Sequence, residues 1–95
     1  MTFDQFQQSL SQSSPPSSIS AHLKALWYDA KGDWEQSHNI IQDIGDTNAS
    51  WIHAYLHRKE GDIWNADYWY SRAGRKRPTV SLDEEWGIIV KSLIK

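Results

Sequence analysis

His53 and His57 stand four residues apart, with Glu60 three further on, in the run WIHAYLHRKEGD. On a helix this spacing turns both imidazoles to one side, which is how two histidines share a metal ion. The glutamate that follows the first histidine in a zinc-protease helix is missing, because Ala54 fills that place. Half-buried imidazoles hydrogen-bonded to neighbours are the plainer reading, since histidine serves both roles. No metal is therefore assigned, and His53 and His57, with Tyr68, form only an alternative small-molecule or metal site, one that could also be enzymatic. His22 and His38 are isolated in the sequence and read as structural or exposed.

Trp64, Tyr68 and Arg72 follow at i, i+4 and i+8. Two rings and a guanidinium so spaced make a recognition ladder, with cation–π support of about 0.5–1 kcal/mol on a surface. Packing of a later helix on them through Trp86 is the competing reading. Arg72, Arg75, Lys76 and Arg77 gather where that helix must end. Cations there complement the helix dipole, and they would also meet an anionic partner. Nucleophile–base–acid sets, glycine-rich phosphate loops and paired catalytic carboxylates are not visible. The chain reads as non-catalytic, with no catalytic residues and no cofactor.

Composition narrows the classes further. Ninety-five residues make one domain, and ten basic against twelve acidic residues give a net charge of −2. A dedicated nucleic-acid binder would be strongly basic. The chain has no cysteine, which excludes disulfides and thiolate metal sites. No membrane span or signal-peptide run is evident, so a soluble, cytoplasmic protein is expected. Six tryptophans supply either buried area for a small core or rings for a recognition surface.

Hydrophobic periodicity supplies the elements that must position these groups. Phe3, Phe6 and Leu10 mark a short amphipathic stretch, and SQSSPPSS after it is a tether by composition. Ile19, Leu23, Leu26, Trp27 and Ala30 form one helical stripe. Gly32-Asp33 ends that helix and starts one carrying Trp34, Ser37, Ile41 and Ile44. Gly45 to Asn48 leads into a helix with Trp51, Ala54, Tyr55 and Arg58 on one face. Gly61-Asp62 repeats the punctuation before Ile63, Ala66, Trp69, Tyr70 and Ala73, and Gly74 and Pro78 close the unit. Ser81-Leu82-Asp83-Glu84 is a capping box for a last helix striped by Leu82, Trp86, Ile89, Val90 and Leu93. The expectation is all-α. An N-terminal segment and tether (1–18) precede helical hairpins at 18–45 and 46–78 and a capping helix at 79–95.

A shift of 29 residues aligns Gly32-Asp33 with Gly61-Asp62, Ala25 with Ala54, Ser37 with Ala66 and Ile41 with Tyr70. Two copies of helix, Gly-Asp turn, helix mark a helical repeat. The second copy, through Ala54, Gly61, Ala66, Tyr70, Ala73 and Pro78, resembles the tetratricopeptide repeat. His53 and His57 stand at that motif's usual leucine and tyrosine positions, and the spacing is shorter than its usual ~34 residues. The run HAYLHRKEGD..NA.YWY.RAGR also resembles a family of short microbial proteins, a likeness that brings no function with it.

The tetratricopeptide resemblance implies right-handed stacking of the hairpins and a concave groove lined by the first helix of each pair. It would show His22, Leu26 and Asp29 from one copy and Asn48, Trp51, Tyr55 and Arg58 from the other. A peptide or protein segment is the expected partner, held by Trp51, Tyr55, Arg58, Trp64, Tyr68 and Arg72. Two repeats leave outer faces unburied. The last helix would cover the end of the second hairpin, Phe3, Phe6 and Leu10 the other end, and a stacked homodimer would answer the same need.

Overall fold

The computed structural model describes residues 1–94; Lys95, the last residue of the expected 79–95 segment, lies outside them. Among the described residues the protein is all helical: α1 (Phe3–Ser9), α2 (Ala21–Ala30), α3 (Trp34–Ile41), α4 (Thr47–Glu60), α5 (Ile63–Arg72) and α6 (Leu82–Leu93). No described helix is long and apolar enough to cross a membrane.

Every helix start is fixed by a short polar side chain. Thr2, Ser20, Asp33, Asp46, Asp62 and Ser81 each accept the backbone N–H three residues on, satisfying a donor that the helix itself leaves over. At the α2–α3 and α4–α5 turns the same local geometry occurs twice. Gly32 and Gly61 have φ of +87° and +86°, a left-handed conformation that costs glycine nothing. The amide of the following aspartate then bonds back to Tyr28 or His57 at 2.9 and 3.0 Å. Two ten-residue-scale helices separated by one such turn fold against each other, so α2 pairs with α3 and α4 with α5.

Positions related by the 29-residue shift share their environment. Ala25 and Ala54 are fully buried, as are Ser37 and Ala66, and Ile41 and Tyr70. The symmetry stops at the far end of α3. That helix ends at Ile41, and Gly45 lacks the positive φ of Gly74. The two helical pairs therefore share a turn and a packing seam but not a length.

At Ser37 packing overrides local chemistry. Its hydroxyl is buried without a hydrogen-bond partner among the described residues, at the site where the second copy has Ala66. Ser37→Ala is expected to leave stability unchanged or raise it by up to about 1–2 kcal/mol, because it removes an unsatisfied buried polar group. Urea denaturation reads the change, and a loss above about 1 kcal/mol would contradict the packing described.

The expectation that the last helix covers the end of the second hairpin is corrected. α6 packs across α2 and α4 instead. The Trp86 indole donates to the Leu26 carbonyl at 3.0 Å, and Ile89 and Val90 are fully buried. Physical complementarity explains the choice. The side of α2 and α4 that offers Leu26, Trp51 and Tyr55 is broad and apolar. The outward side of α5 bears Asp67, Ser71 and Arg72 beside the exposed Trp64 and Tyr68, whereas α2 and α4 also supply hydrogen-bond partners for Trp86 and Glu85. α1 then lies against α6, with Phe3 and Phe6 ring centroids 6.1 and 5.9 Å from Trp86. It is fastened to α2 as well. Trp27 donates to Ser9 Oγ at 3.2 Å, and the Lys31 ammonium donates to the Leu10 and Gln12 carbonyls at 2.6 and 3.0 Å.

Candidate functional site

The six residues expected to hold a peptide divide into two groups that face different ways. Trp51 and Tyr55 are buried, and Arg58 is ion-paired beneath α6. The open groove read from the sequence is therefore corrected: its lining has become an internal junction because α6 lies on it. Glu85 of α6, 1% exposed, is the centre of that junction. It accepts from Arg58 Nη1 at 2.8 Å, from the Tyr70 hydroxyl at 2.7 Å and from Trp51 Nε1 at 3.2 Å. Arg58 also donates to the Val80 carbonyl. Asp29 is a second buried carboxylate, taking the Tyr55 hydroxyl at 2.8 Å and the Lys59 ammonium at 2.9 Å. Burial first, and then the adjoining carboxylate, pushes both tyrosine hydroxyls above their ordinary range. They are donors at all ordinary pH. Two other groove candidates are also accounted for: Leu26 is buried, and His22 is paired with the α4 cap Asp46 at 2.9 Å.

Trp64, Tyr68 and Arg72 lie on the outer face of α5. Trp64 is 80% exposed and Tyr68 47%. Trp86, which competed to pack on them, meets Leu26, Phe3 and Phe6 instead. Arg72 lies over two rings, 5.8 Å from the centre of Tyr68 and 5.4 Å from that of Trp69, and it donates to the Tyr68 hydroxyl. Beyond it the non-helical segment after α5 carries Arg75, Lys76 and Arg77 along an open cavity of about 740 Å³ shared with Asp67, Ser71 and Thr79. Arg77 pairs with Asp67 at 2.9 Å. Arg75 is stacked 3.4 Å from the centre of the Trp51 ring, which fixes the start of this segment to the core.

His53 and His57 do point the same way, and a third imidazole joins them. His38 comes from α3, and its Nε2 lies 3.0 Å from His53 Nε2. One ring nitrogen from each of the three lies within 4.8 Å of the others. The rings are held from behind: Trp34 stacks on His38 at 4.9 Å and Trp69 on His53 at 4.0 Å. Trp34 is itself fixed by donation to the Leu56 carbonyl at 2.8 Å. Glu60 takes His57 Nδ1 at 2.6 Å. Burial, then the neighbouring His38 and His57, lowers the His53 pKa to about 4. Burial and His57 lower that of His38 too, against a smaller opposing pull from Glu60. Both are neutral imidazoles at neutral pH.

No family model, curated protein or solved structure matches the chain.

Tyr68 does not enter the histidine group; it is separated from His53 by the Trp69 ring. The sequence reading missed His38 because it sits 15 residues upstream on a different helix. The available signal was the Trp34–His38 spacing of i, i+4 on the helix just before α4. That pair has the same spacing as His53 and His57, so two facing helices each present imidazole at their shared seam.

Proposed function

We propose that the chain is a non-catalytic interaction module of tetratricopeptide-like design that docks an acidic segment of a partner protein. The docking surface is the outer face of α5 and the basic segment after it, not the groove. The exposure of Trp64, 80% on the first turn of α5, is the observation that carries this reading. A large ring left in water beside Tyr68 and Arg72 matches the residue types that dominate binding energy at protein interfaces.

Two further features favour it. Arg72 is already braced by cation–π contacts with Tyr68 and Trp69, so ordering it on binding costs less than for a free side chain. Charge also chooses the partner: the cavity beside α5 is lined by Arg75, Lys76 and Arg77 against the acid Asp67, with Arg72 on the adjoining helix face. A negative segment is attracted to this surface. Support for the tetratricopeptide-like design comes from Ala54 and Ala66, buried in the paired helices α4 and α5, and from Gly61 at the turn between them.

The test uses synthetic decapeptides rich in Glu or Asp and carrying one aromatic residue, with Lys-rich and neutral decapeptides as controls. Saturable binding of the acidic set is expected, with amide shift changes confined to α5 and the segment after it. Trp64→Ala and Arg72→Ala should each weaken binding about tenfold, on the order of 1–2 kcal/mol, with melting temperatures within a degree or two of the parent. Equal binding of acidic and basic peptides, or unchanged affinity in both variants, would defeat the assignment.

A further inference from the structure

We propose that His38, His53 and His57 form a binding site for one divalent transition-metal ion of the borderline class, zinc foremost. This goes beyond the docking reading and rests on different residues.

The first argument is donor chemistry. Three imidazoles without thiolate, on a chain with no cysteine, suit Zn(II), Cu(II), Ni(II) or Co(II) and not the oxygen-seeking Ca(II) and Mg(II). The second is distance. Tetrahedral zinc with Zn–N bonds of ~2.0–2.1 Å sets its nitrogen donors roughly 3.3 Å apart. His38 and His53 Nε2 are already 3.0 Å apart, and the third nitrogen is within 4.8 Å of both. Rotation of the His57 ring about its side-chain bonds is the movement that would close the remaining gap.

The third argument is the surround. A metal-bound histidine usually donates its other ring nitrogen to a carboxylate, which fixes tautomer and orientation. His57 does so: its Nδ1 meets Glu60 Oε1 at 2.6 Å. The Nε2 of His57 is thereby left as a lone-pair donor, and among the described residues it has no hydrogen-bond partner. Stacking of Trp34 on His38 and of Trp69 on His53 restrains the other two rings. The partly exposed His38, beside buried His53 and His57, marks the side from which an ion enters. Glu60 and Asp62 also lie near His57, but Asp62 is committed to capping α5 through Asn65 and Glu60 to His57. Three protein donors leave the fourth tetrahedral position to water.

The ion would join α3 of one hairpin to α4 of the next. The sequence spacing alone gave a two-histidine pair; the fold supplies the third donor that makes a site.

The experiment uses the untagged full chain, freed of metal by chelator and dialysis, and titrates Zn(II) against a chromophoric competitor. One ion per chain is expected, with a rise in melting temperature. Co(II) should give the intense visible bands of a four-coordinate site. His38→Ala and His53→Ala should each lower zinc affinity more than a hundredfold. Glu60→Gln should lower it by about 10–100-fold, as loss of a carboxylate behind a ligand does. His22→Ala, outside the group, should change nothing. Circular dichroism confirms that each variant is folded, and His38→Ala, at a partly exposed position, keeps the test decisive if His53→Ala is not. Absence of stoichiometric binding, survival of binding in His38→Ala, or equal loss in His22→Ala would overturn the site.

Discussion

Glu85→Ala is expected to destabilise the protein by about 3–5 kcal/mol, because it leaves the partly buried Arg58 without its counter-charge. Small domains have only about 5–15 kcal/mol of stability in all, so this variant should be near the edge of folding at 37 °C. The carboxylate joins three helices at once: Trp51 and Arg58 of α4, Tyr70 of α5 and its own α6. Losing the charge but not the shape is a milder insult, and Glu85→Gln should fall between parent and alanine. The pair Arg58→Met with Glu85→Leu should recover much of the loss, since apolar replacement of a buried ion pair is often neutral or better. Urea midpoints at constant slope measure all of these. Tyr70 offers a separate readout. Its hydroxyl is pushed above the ordinary range first by burial and then by Glu85, so tyrosinate absorbance should appear at lower pH once the carboxylate is gone. A cost below about 1 kcal/mol in Glu85→Ala would mean that this junction does not hold α6.

The sequence carried local features and lost long-range ones. Asp33 and Asp62 at helix starts, Gly32 and Gly61 as the turns between helices, and the small residues at 25, 54 and 66 were legible because each acts within one helix or turn. The same locality misplaced α6. Its stripe of Leu82, Trp86, Ile89, Val90 and Leu93 reveals an apolar face but not which face it will meet. Glu85 was legible only as an acid suited to a helix N-terminus, whereas its principal partners lie on α4 and α5, 15 to 34 residues away. His38 was hidden for the same reason. Of the candidate site, His53, His57 and the Trp64–Tyr68–Arg72 ridge followed from helical spacing. The burial of Trp51, Tyr55 and Arg58 did not, since it depends on a helix that begins more than twenty residues later.

Phe6→Ala should release α1 from the body without unfolding the rest. Phe6 is fully buried, and cutting such a ring to alanine costs about 3–5 kcal/mol where the surroundings stay in place. Here they need not stay. α1 has seven residues, too few to persist alone in water, and the SQSSPPSS tether lets it leave without moving α2. The measured cost is therefore capped at the free energy with which α1 docks, since undocking replaces cavity formation once it becomes the cheaper response. Loss of amide protection throughout α1 is the expected signature in hydrogen exchange, with α2 to α5 still protected. Trp86, now stripped of Phe3 and Phe6, should emit further to the red, and the urea slope should fall slightly because the native state already exposes that surface. Lys31, whose ammonium holds the Leu10 and Gln12 carbonyls, predicts a weaker version of the same effect in Lys31→Ala. Full α1 protection in Phe6→Ala would show that its polar fastenings, rather than the ring, hold the segment in place.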